Sequence, residues 1–131
     1  MGSANYVETL NSSQPQELSR IVAYLNFDMV ASPNYVFLVL NGSSSAAPVG
    51  SAYLADTMAA GITEQSELWK LAPFTGRSDY GPFLKFGIPA GGIETGADLK
   101  KTMEERRMFG GLANAYHDPC YHQVWPYGLT D

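Results

Sequence analysis

The sequence predicts an α/β domain with a largely parallel or mixed sheet, and three observations carry that reading. The chain has 131 residues, enough for one domain with one modest core. Short, continuous apolar runs rich in β-branched residues have the character of strands buried on both faces. Helical stretches alternate with those runs, the pattern that builds helices over a sheet.

Taken in order, "SSQPQELSRI" holds turn formers and then a short helix. "RIVAYLNFD" reads as a strand buried on both faces, "MVASPN" as a turn, and "YVFLVLNG" as a second strand ending at Asn-Gly. "GSSSAAPVG" is a loop, and "SAYLADTMAAG" is an amphipathic helix stopped by Gly61. "APFTGRSDYG" is a polar loop leading to a short helix through "PFLKF". "GIPAGGI" is a buried strand entering a glycine loop. "ADLKKTMEERRMFGG" is a charged surface helix with a double-glycine stop, its charges read as a solvated face.

Composition narrows the function classes. A net charge of −5 and the absence of any basic run argue against a nucleic-acid partner. The longest apolar stretches are too short to span a bilayer, and "MGSANYVETLNSSQPQ" lacks the charged and apolar regions of a signal peptide. One cysteine excludes an internal disulfide framework. The triplets at Asn11 and Asn41 would accept glycans on a secretory route, although such triplets also arise by chance.

In sheets of this class the site lies at the carboxyl ends of strands. Asp28 ends the first apolar strand, and Arg77, Glu94 and His122 fall in connecting segments, a reasonable geometry for one shared cleft. Asp28 is either a strand-end turn cap or a metal ligand, because a carboxylate there loses hydration unless a cation compensates. His122 has no metal-motif spacing around it, and Pro119 interrupts any helical pairing with His117. Tyr121 taken singly is a packing aromatic, and Arg77 a solvated loop charge. "GPFLKFGIPAGG" lacks phosphate-loop spacing, "NGSSSAAPVGS" lacks a nucleophile elbow, and Cys120 is too near His122 in sequence for the usual thiol–imidazole pair.

Five segments in fixed order carry a further signal: "YLNFDMVASPNY", "GRSDYGPF", "GIPAGGI" with "TGA", "FGG" and "CYHQ". Through them the chain resembles the C-terminal half of the secreted and vacuolar di-zinc aminopeptidases of bacteria and fungi, relatives of the glutamate carboxypeptidases. The resemblance runs from "GSANYV" to Gln123 and implies a partial catalytic domain over residues 1–123 with a divergent tail over 124–131. It implies a three-layer α/β/α zinc-exopeptidase fold, a peptide substrate, and a secreted or vacuolar parent protein. It also implies that Asp28 and His122 ligate zinc, one metal each, and that Tyr121 donates a hydrogen bond to the oxyanion. Arg77 would face the substrate. The implied chemistry is hydrolysis by a water held between two zinc ions, with a glutamate as general base.

The departures are equally specific. The resemblance places the remaining metal ligands and the glutamate base in a part of the domain before the "GSANYV" segment, so the chain is expected to bind zinc weakly and to be inactive alone. A fragment of a peptidase and a catalytically dead peptide- or partner-binding module are the two readings. Glu94 stands where a phenylalanine usually lines the substrate pocket, Thr75 replaces a common aspartate, and Trp125 stands where a second cysteine would pair with Cys120. A strand deprived of its partner half predicts exposed edges, apolar surface and poor solubility.

Overall fold

A computed structural model describes residues 2–45 and 47–123. The elements in chain order are α1 (Gly2–Ser13), α2 (Pro15–Ser19), β1 (Tyr24–Phe27), β2 (Leu38–Leu40), α3 (Ser51–Glu64), β3 (Lys70–Ala72), α4 (Tyr80–Lys85), β4 (Ala90–Glu94) and α5 (Met103–Phe109). The four strands form one sheet in the order β1-β4-β2-β3. β4 runs parallel to β1 and antiparallel to β2, and β3 runs parallel to β2. The sheet is therefore mixed rather than largely parallel.

Alternation along β2 divides the core between the two faces. Val39 packs with Ala55, Ala59 and Ile62 of α3, while Leu40 packs with Ala72, Tyr80 and Ala90 on the α4 side. Val7 of α1 joins Phe83 and Ile88 in a third cluster beside α4. The "AGGIE" strand is glycine-rich because α3 crosses it closely. A Cβ on Gly91 would lie 2.6 Å from Leu54 Cβ.

Three expectations are corrected here. β1 begins only at Tyr24 and is not buried on both faces: Asn26 is 4% exposed, but Leu25 and Phe27 are 51% and 61% exposed. β1 lies at the sheet edge, and α3 covers β4 and β2 without reaching it. Gly61 does not stop α3, which continues to Glu64. Packing of Ala59 and Ile62 on Val39 outweighs the roughly 1 kcal/mol cost of a helical glycine. The charges before and within α5 are not all solvated, since Lys101 and Glu105 are 1% and 9% exposed. Two segments to which the sequence assigns no element, "GSANYVETLNSS" and "KLA", form α1 and β3: the first has a weak apolar stripe and the second is only three residues long.

Candidate active site

Strand direction decides where a cleft can form. β1 and β4 are parallel, so their carboxyl ends finish together, with Phe27 opposite Ile93. β2 runs the other way and brings Leu38 opposite Glu94 at the same end. Asp28 thus leaves the sheet next to Glu94. It is exposed rather than dehydrated, because the strand end opens into the cleft.

Two further segments close on this end. The Tyr80 ring is buried on the α4 side, and its hydroxyl accepts the backbone N–H groups of Thr75 at 2.9 Å and Gly76 at 3.2 Å. That anchors the loop carrying Arg77 and Ser78. Ser78 donates its hydroxyl to Asp28 Oδ2 at 2.8 Å, with Asn26 Oδ1 at 3.2 Å from the same oxygen. On the opposite side Asn34 holds the C-terminal segment. Its backbone N–H donates to the His117 carbonyl at 3.0 Å, and its side-chain amide donates to the carbonyls of Leu112 at 2.9 Å and Tyr116 at 3.1 Å. Asp118 Oδ1 then accepts the Cys120 N–H at 2.8 Å, an Asx turn that delivers Tyr121 and His122. His122 adopts a left-handed φ of 52°, and its ring centroid lies 4.2 Å from that of Tyr121.

Asp28, Arg77, Tyr121 and His122 consequently line one open cleft of about 580 Å³. Glu94 is not in that wall. It lines an adjoining pocket of about 130 Å³, shared with Asp28, Arg77 and Tyr121. Arg77 forms an exposed ion pair with Asp98 at 3.0 Å, which holds the Asp98 carboxyl below its usual range. Burial raises the Glu94 carboxyl above its ordinary range, the charge of Asp28 raises it further, and Arg77 only partly opposes them.

The donor atoms do not complete a metal set on their own. Among the described residues no three His, Cys, Asp or Glu side chains converge as ligands, whereas zinc sites ordinarily use three or four protein ligands. Cys120 is a free thiol, and Trp125 with the whole 124–131 tail lies outside the described residues. Ser78, Tyr80, Asn34 and Asp98 position the site and were not singled out by sequence. The "SPN" turn and the Asx turn of "HDPC" were the local signals available for part of this set. Among the described residues no helix is long and apolar enough to cross a membrane.

The model of peptidase family M28 matches residues 1–124. Leucine aminopeptidase 2 of Arthroderma otae is 40% identical over 126 residues, covering 93% of this chain and 25% of that protein. Probable leucine aminopeptidase 2 of Aspergillus fumigatus is 42% identical over 126 residues, with 93% and 25% covered. The probable lipoprotein aminopeptidase LpqL of Mycobacterium tuberculosis is 39% identical over 132 residues, with 94% and 26% covered. The chain spans about a quarter of the length of these relatives.

Proposed function

The chain belongs to peptidase family M28, and from that premise we propose that it forms one wall of the active site of a zinc-dependent aminopeptidase. The observation carrying this reading is the convergence of Asp28, Arg77, Tyr121 and His122 on one cleft from three separated segments. The names of the aminopeptidase relatives support the substrate class, a peptide with a free amino terminus. The parent protein is proposed to be secreted or vacuolar, with Asn11 and Asn41 as potential glycan acceptors.

Asp28 and His122 are proposed to give one metal donor each. The described residues do not fit a complete zinc site, and the remaining ligands and the general base are proposed to come from polypeptide beyond these 131 residues. Ser78 orients Asp28 through its hydrogen bond to Oδ2, leaving Oδ1 for a metal. Tyr121, which lines the cleft, is proposed to donate its phenol hydrogen to the substrate carbonyl oxygen as negative charge develops there. Arg77, steadied by Asp98, faces the bound peptide.

The test is turnover of an unblocked aminoacyl substrate by the 131-residue chain with added zinc, alone and then combined with the remainder of an M28 aminopeptidase. No turnover is expected alone and clear turnover in combination. In the combined enzyme His122→Ala or Asp28→Ala should abolish activity, and Tyr121→Phe should lower kcat about 10²–10³-fold. Chelator-sensitive turnover by the chain alone would refute its incompleteness, and full activity of Tyr121→Phe would refute the role of the phenol.

A further inference from the structure

The pocket beside the cleft holds two polar groups without partners. Glu94 is half-buried and makes no hydrogen bond or ion pair among the described residues. The nearest cation, Arg77, is engaged by Asp98 at 3.0 Å. His117 lines the same pocket, is 3% exposed, and has no hydrogen-bond partner on either ring nitrogen. Its nearest charged neighbour, Glu105 Oε2, lies 3.8 Å from Nε2, beyond hydrogen-bond reach. Gly96 fits against the imidazole where any Cβ would collide, so the ring is confined beside the pocket.

Charge and size define what would satisfy such a place. Asp28, Glu94 and Asp98 supply three carboxylates to the lining, against one guanidinium already paired. Leu38, Leu99 and Tyr80 supply apolar wall. At about 130 Å³ the pocket is well below the roughly 300 Å³ at which whole-ligand sites begin. It suits one side chain with an apolar stem and a charged head, the combination that lysine and arginine present.

We propose that this pocket receives the basic side chain of the substrate's N-terminal residue, with Glu94 as the specificity-determining counter-charge. The ammonium or guanidinium donates to the Glu94 carboxylate, while its stem packs on Leu38, Leu99 and Tyr80. An aliphatic side chain would instead leave Glu94 dehydrated and unpaired. This rests on the reading of the cleft as a peptide site, and it adds which residue that site selects.

The experiment is an NMR titration of the isotopically labelled 131-residue chain with lysine amide, Nα-acetyl-lysine amide and leucine amide. Both lysine compounds should shift the amide signals of residues 94–99 and bind about tenfold or more tighter than leucine amide. Glu94→Gln should erase that preference with the unfolding midpoint retained, and Glu94→Leu should turn it toward leucine amide. Equal binding of lysine and leucine amides, a preference surviving in Glu94→Gln, or no binding by any probe would each overturn the proposal. Failure here with working turnover in the combined enzyme would sink this inference alone. Lysine binding without turnover there would sink the aminopeptidase reading instead.

Discussion

Two regions meet at His117: the network around Glu105 behind it and the pocket beside Glu94 in front. Both glutamates are withdrawn from water, yet their surroundings push them in opposite directions. Burial raises the Glu105 carboxyl, but the Thr102 backbone N–H and the Lys70 ammonium outweigh it, leaving the group below its ordinary range. The contacts are short: Lys70 Nζ lies 3.0 Å from Oε1, and the Thr102 N–H donates to Oε2 at 2.8 Å in a capping box that starts α5. Glu94 has the burial without the partners, and its carboxyl sits above the ordinary range. Burial alone does not decide a carboxylate's state; the donors brought to it do. Donors supplied by the fold favour the charged carboxylate at Glu105, and burial without them disfavours it at Glu94.

The largest test of that contrast is Glu105→Ala. It strands Lys70, breaks the capping box and removes the carboxylate 3.8 Å from His117, so we expect a loss of about 3 kcal/mol in denaturant unfolding. A loss below about 1 kcal/mol would mean that the network is ornamental to stability.

An intermediate test is the dependence of stability on pH. Burial lowers the His117 pKa, and the attraction of Glu105 does not restore it. The folded protein therefore holds His117 neutral, while the unfolded chain takes up the proton near the ordinary value of about 6.5. Stability from this source is complete above about pH 6.5 and is lost as pH falls toward the depressed folded value. Glu105 adds a second loss below about pH 4.3, because its folded pKa is depressed as well. Thermal melts should show a two-stage decline on acidification, and His117→Gln should remove the upper stage. A single stage unchanged by that substitution would contradict the assignment of His117 as a buried neutral group.

The smallest effect distinguishes the other side of the comparison. A raised folded pKa makes the Glu94 charge destabilising as pH rises above about 4.3 toward its folded value. Glu94→Gln should thus be neutral near pH 4 and gain up to about 1 kcal/mol at pH 7, read as a raised melting temperature. Destabilisation at pH 7 would show that Glu94 already has a partner and that the contrast with Glu105 fails.

Parts of this arrangement were readable residue by residue. The apolar runs before Asp28 and before Asn41 mark β1 and β2, and the "SPN" turn between them is where the sequence puts it. Thr102 and Glu105 have the three-residue spacing of a capping box, a signal visible in the sequence beside flanking charges that suggest a solvated helix. α1 buries Val7 alone within the core, so its sequence carries too weak an apolar stripe to be recognised. Leu25 and Phe27 are as apolar as the residues of a central strand, and only their place at the sheet edge exposes them.

By itself the sequence determined the α/β class, the turns that punctuate it, the family, and the identity of the side chains offered to the cleft. Such properties depend on periodicity over a few residues and on motifs kept in order along the chain. Only the tertiary structure decided that Asp28 stays hydrated under Ser78, that Glu94 faces a pocket unpaired, and that Lys101, Glu105 and His117 are buried. Each of these outcomes is set by atoms from segments far apart in the chain. Hydration and electrostatic partnership depend on distances of a few ångströms, and folding alone creates them.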